Sequence, residues 1–60
     1  MTDRLMAFLN CARAIAFNRG FGPQYDLFDR VTRDLDRDFV GLQTSDRMYA
    51  ERELRRMCGV

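Results

Sequence analysis

Apolar residues recur at Leu5, Phe8, Leu9, Ala12, Ile15 and Ala16, at the three- and four-residue spacings that line one face of an α-helix. Thr2 stands where an N-cap belongs and Asp3 in the first turn, where a negative charge suits the helix dipole. The stretch Gly20-Phe21-Gly22-Pro23 then breaks the pattern. Gly20 is placed to end the first helix in a left-handed conformation, and Pro23 to open the next.

A second helix is expected from about Pro23 to Asp36 or Asp38, with Leu27, Phe28, Val31, Leu35 and Phe39 on one face. Asp26 with Arg30 and Asp29 with Arg33 are spaced to pair along its solvated side. Asp34, Asp36 and Asp38 oppose the dipole at its C-terminal end, so the helix should fray or stop there, and Gly41 falls in a turn. A third helix should begin with Thr44 or Ser45 as N-cap and Asp46 in its first turn, and end near Cys58 and Gly59. Its inward face is Ala50, Leu54, Met57 and Cys58. No run of alternating β-branched residues suggests a strand. The fold class is therefore all-α, a compact three-helix unit forming one domain over residues 1–60.

The first helix carries more apolar surface than two short neighbours can cover. Met6 and Phe17 are expected to point almost opposite to the Leu5 stripe, and Ala7, Cys11, Ala14 and Asn18 form a narrow small-residue face. A helix that is apolar nearly all round belongs against something, and monomers seldom expose large apolar patches. Two-fold dimers are the commonest oligomers, so the first helix is the expected seam of a homodimer, the bundle then presenting its remaining surface to another protein. Met6, Arg13, Phe17, Phe21 and Tyr25 are the candidate interface residues, with Arg13 as a polar anchor among aromatic and methionine contacts.

Size and charge narrow the remaining chemistry. Sixty residues bury only about 60% of the surface that the unfolded chain exposes, which leaves a small domain in want of outside help. With no histidine and only Cys11 and Cys58 as thiols, a structural zinc site is not expected. Both cysteines are expected to be reduced, buried small hydrophobes. No cofactor, metal or small-molecule substrate is indicated, and no catalytic pair, since a cysteine nucleophile needs a base that the composition does not supply. The segment from Leu5 to Phe17 is too short and too interrupted to span a bilayer, which leaves cytoplasmic residence and no membrane partner as the default expectation.

Ten basic against nine acidic residues give a net charge of +1, so charge alone announces no nucleic-acid partner. Every basic residue is arginine, a pattern that GC-rich coding explains better than selection for bidentate contacts does, so it points to no function. A rival reading makes Gly41 and Leu42 the turn of a helix-turn-helix, with Gln43, Ser45, Arg47 and Arg52 reaching DNA from the third helix. It predicts binding that weakens steeply with salt. The leading expectation is a non-enzymatic interaction module, a homodimeric accessory regulator or inhibitor of the size common among phage and mobile-element proteins.

Overall fold

A computed structural model describes residues 2–20 and 22–60. Three helices, α1 (Asp3–Arg19), α2 (Tyr25–Asp38) and α3 (Thr44–Cys58), make up the fold, with no strand among the described residues. The unit is a short rod of 31 × 17 × 17 Å. That length suits helices of this size lying side by side, since seventeen residues rise about 25 Å.

Contacts at both ends of each helix pair fix the topology. Arg4 of α1 donates to the carbonyl of Asp38 at the end of α2, at 2.8 Å, while Arg19 pairs with Asp26 at the start of α2. These helices are therefore antiparallel. Asp36 of α2 pairs with Arg47 of α3, and at the opposite end the Gln24 backbone amide donates to the Cys58 carbonyl at 2.8 Å, so α2 and α3 are antiparallel as well. α1 and α3 run parallel, and α3 makes the main contacts to both neighbours.

The core follows the expected stripes with small shifts. Leu5, Leu9, Ala12 and Ala16 of α1 meet Leu27, Val31 and Leu35 of α2 and Ala50, Leu54 and Cys58 of α3. Phe8, Phe28, Phe39, Leu42, Tyr49, Met57 and Val60 close around it, half-buried, with Phe8 and Phe39 edge to face at 5.5 Å. Ile15 departs from the expectation and is 38% exposed. At about 100° per residue it lies at the margin of the stripe, where Ala16 falls nearer the centre. Cys58 is buried as expected, but Cys11 is exposed on the outer side of α1, because its own turn contributes Ala12 to the core instead.

Helix ends differ from the sequence reading in instructive ways. α2 begins at Tyr25 rather than Pro23, because Gln24 is held in a non-helical conformation (φ −122°, ψ 68°) by its ties to the other two helices. α3 is preceded by Gln43 as N-cap; Thr44 and Ser45 are already helical, and no side chain caps this end. Gly20 does end α1 with a positive φ of 96°, but its ψ of −164° is extended rather than left-handed helical. Thr2 caps α1 as expected, its hydroxyl accepting the Leu5 amide at 3.2 Å. α2 persists through Asp38 despite its aspartates. Arg37 offsets them by pairing with Asp34 and Asp38, each at 3.0 Å, and Arg4 satisfies the terminal carbonyl. Arg37 also holds the Asp38 carboxyl below its usual range. The Asp26–Arg30 pair expected along α2 gives way to Asp26–Arg19 between helices, and that guanidinium lowers the Asp26 pKa.

Gln24 is the junction of all three helices. Gly20 N–H bonds back to Phe17 O at 3.2 Å, which leaves the Ala16 carbonyl without its helical donor. Gln24 Nε2 takes that place, donating to Ala16 O and Gly20 O, both at 3.1 Å. Its backbone N–H meets the orphan carbonyl of Cys58, and its own carbonyl accepts Phe28 N–H to start α2. α3 stops beside this junction in a Schellman turn, Val60 N–H reaching Arg55 O at 3.0 Å around Gly59 in the left-handed region.

Gln24→Glu tests the junction. The introduced carboxylate faces two carbonyl oxygens, and their repulsion outweighs the favourable α2 N-terminus, which is worth about 0.3–1 kcal/mol. A loss of about 2 kcal/mol at pH 7 is expected from the unpaired buried carbonyls and the buried charge. Those carbonyls raise the folded-state pKa of the introduced carboxyl above its unfolded value, so the folded form binds more protons, and the deficit relative to wild type grows as pH rises from about 4. Chemical denaturation of both proteins at pH 4 and pH 7 measures it; an equal deficit at both values would show that no carbonyl faces this side chain.

Candidate functional site

The outer side of α1 is the most distinctive surface of the molecule. From Leu5 to Asn18 the helix carries one charged residue, Arg13. Its guanidinium leans towards α3, 3.5 Å from Glu53, and donates to Asn10 Oδ1 at 2.8 Å. The rest of that side is Met6, Ala7, Asn10, Cys11, Ala14, Phe17 and Asn18, all exposed. Phe17 is 81% exposed and Met6 39%. Asp3 and Arg4 stand at one end of this surface and Arg19 at the other.

Where α1 meets the last turns of α3, an open groove of about 550 Å³ is lined by Arg13, Ala16, Phe17, Gly20, Glu53, Arg56 and Met57. Glu53, with a mostly covered side chain, sits between Arg13 and Arg56, the latter at 3.8 Å. The groove therefore has an apolar floor and a charged wall in which two arginines share one glutamate, leaving one positive charge in excess. Met57, read from the sequence as core, is half-buried on its edge.

The five interface candidates divide. Arg13 and Phe17 come together at this groove. Met6 lies about three turns N-terminal to Phe17 on the same edge of α1. The two residues flank the core stripe rather than opposing it, as the part Phe17 takes in the groove beside buried Ala16 shows. Tyr25, 65% exposed at the start of α2, belongs to neither group. Phe21 lies outside the described residues. Glu53 and Arg56 were not legible as partners of α1, since nothing local in α3 reveals the parallel register that brings Glu53 to Arg13.

The four DNA candidates do not all share one face. Gln43 and Ser45 are exposed at the start of α3, and Arg52 lies over the Tyr49 ring at 5.6 Å. Arg47 turns the other way, its guanidinium tied to Asp36. A helix-turn-helix crosses its helices at about 90–120°, whereas α2 and α3 touch at both ends as an antiparallel hairpin.

Among the described residues, no helix is long and apolar enough to cross a membrane and no three histidine, cysteine or acidic side chains gather where a metal could be held. Compared with protein-family models, curated proteins and solved structures, the chain finds no match in any of the three.

The two thiols differ in environment. Burial pushes the Cys58 pKa up, with Arg19 partly offsetting the effect, whereas Cys11 stands in solvent. In dilute solution at pH 8, a chromogenic disulfide reagent should modify one thiol per folded chain promptly and the second only on unfolding. Mass mapping should place the first label on Cys11; prompt labelling of Cys58 would show that the α3 terminus is open.

Proposed function

We propose that this protein is a non-enzymatic interaction module that associates with a second copy of itself through α1 and offers its remaining surface to a protein target, in the manner of a small accessory regulator or inhibitor. One observation carries the reading: the exposed side of α1 between Leu5 and Asn18 is uncharged apart from Arg13, and Phe17 stands on it 81% exposed. Such a side chain gains little from the fold of its own chain and about 1.5–3 kcal/mol from complete burial against another surface.

The bundle supports the same reading in a second way. α2 and α3 meet solvent with dense charge, whereas α1 does not, so the uncharged face is confined to one helix. The aromatic and methionine side chains on it are the types enriched in interface cores. The groove where α1 meets α3 is open to solvent and mostly apolar, which suits a contact surface.

Phe17→Asp is the direct test. Light scattering of the wild type over a range of concentrations should approach twice the chain mass of 7.1 kDa. The variant should stay at the single-chain mass at every concentration while keeping its helical circular dichroism, because Phe17 is outside the core. Loss of helicity with no dimer in the wild type would return Phe17 to the monomer's own packing and remove the proposal's support.

A further inference from the structure

We infer that the groove between α1 and the last turns of α3 receives an acidic peptide segment of the protein target, with one bulky apolar side chain on its floor and the carboxylates beside it on Arg13 and Arg56. This names the chemistry of the target in the reading above and does not require the second copy.

Charge on the walls points to an anionic occupant. Arg13 and Arg56 share Glu53, at 3.5 and 3.8 Å, and the Glu53 side chain is only 15% exposed. The longer of these contacts is not a hydrogen bond, and Arg56 is 81% exposed, so most of its five donors face solvent. Arg52, one turn before Arg56 and on the same side of α3, adds a third guanidinium, resting over the Tyr49 ring. Asp26 and Glu51 do not offset this charge. They pair with Arg19 and Arg55 on the α2 side of the bundle, where Arg55 also covers the Phe28 ring.

The dipoles of α1 and α3 oppose an anion at this end. Their effect is reduced because Gln24 already bonds the carbonyls of Ala16, Gly20 and Cys58. Guanidinium and carboxylate form charge-assisted, often bidentate bonds, the stronger of the two influences.

The floor decides which anion. Ala16, Phe17, Gly20 and Met57 present apolar surface between the arginines and the end of α1. A phosphodiester backbone gives such a floor nothing to bury, and a flat bilayer does not enter a concavity between two helices. A phenylalanine or leucine set among glutamates matches both parts. From Arg13 to Gly20 the groove runs about 10 Å along α1, the length of about three extended residues. Its volume of about 550 Å³ is ample for one large side chain and the backbone that carries it. So short a contact binds weakly, with a Kd on the order of 1 mM.

The test is a titration of the isotope-labelled full chain with the blocked peptide Glu-Glu-Phe-Glu-Glu, followed by amide and arginine Nε–H shifts in NMR. Saturable shifts grouped at Arg13, Phe17, Arg56 and Met57 are expected. Arg56→Glu should weaken binding by at least about fivefold, because it sets like charges together. Arg30→Glu makes the same change in net charge on α2, and should weaken it less than about twofold in 0.15 M salt, where screening limits the reach of exposed charges. Peptides with serine for the phenylalanine, or glutamines for the glutamates, should bind poorly. They read the wild type alone, so the answer does not depend on how a variant folds. Shifts that stay linear up to about 10 mM peptide, equal weakening by the two variants, or equal binding of either control peptide overturns the inference. So does tighter binding, at the same residues, of phosphatidylglycerol vesicles or a single-stranded oligonucleotide. Phe17 borders both this groove and the outer side of α1, so it is left unchanged here. Peptide binding by a chain that light scattering shows to be monomeric supports this inference and removes the second copy alone, and a dimer that ignores the peptide does the reverse.

Discussion

The fold depends on what happens at one end of the bundle, where two helices stop and one begins. The carbonyls of Ala16, Gly20 and Cys58 converge there, and unpaired carbonyls in a buried place would cost free energy comparable to lost hydrogen bonds. Gln24 supplies side-chain donors to the first two and a backbone donor to the third, and its own carbonyl opens α2. One residue thereby fixes the exit of α1, the entry of α2 and the terminus of α3. Its amide is suited to the task because it donates without carrying a charge into an 8% exposed position. At the far end the constraint is looser and ionic: Arg4 covers the last carbonyl of α2 and stacks 4.7 Å above Phe39, while Arg47 reaches Asp36.

With both ends held, the helices divide the work unequally. α2 is strongly amphipathic: Leu27, Val31 and Leu35 face inward, and nearly every other turn position is Asp or Arg. α1 has four buried residues, Leu5, Leu9, Ala12 and Ala16, and then continues to be apolar or small around its outer side. Nothing in the monomer's core requires Phe17 or Met6. A residue pattern that would be an ordinary solvated face in α2 is replaced in α1 by one suited to contact, and this difference between neighbouring helices of similar length, rather than overall hydrophobicity, sets the outer face of α1 apart.

The helices, their order and most of the core were legible in the sequence because they follow from local periodicity and from the break at Gly20 to Pro23. What escaped was whatever depends on register between helices. Gln24 reads as a loop residue until the ends of α1 and α3 are seen beside it. Asp26 reads as a partner for Arg30 because the two share a helix, yet Arg19 is available across the turn. Ile15 and Ala16 are both apolar, and although the 100° spacing sets Ile15 at the margin of the stripe, how far the cover of α2 and α3 reaches around that margin is a matter of register between helices. Within the candidate surface, Phe17 and Arg13 could be picked out from an apolar helix with a single charge, but Glu53 and Arg56 could not, since parallel packing of α1 and α3 has no local signature.

The small size of the core links these observations to the proposed association. Among the described residues, ten buried hydrophobic side chains hold the three helices, four of them alanine or cysteine, and small side chains contribute less burial each than leucine or phenylalanine. A bundle built this way sits near the margin expected for about sixty residues. Association through α1 would add burial on the one helix whose outer face has it to give, without disturbing the Gln24 junction or the charged faces of α2 and α3. Because a partner that binds only the folded chain stabilises it by mass action, the exposed side of α1 would then serve the fold as well as the contact. This coupling gives a physical reason for a small domain to keep so little charge on that face.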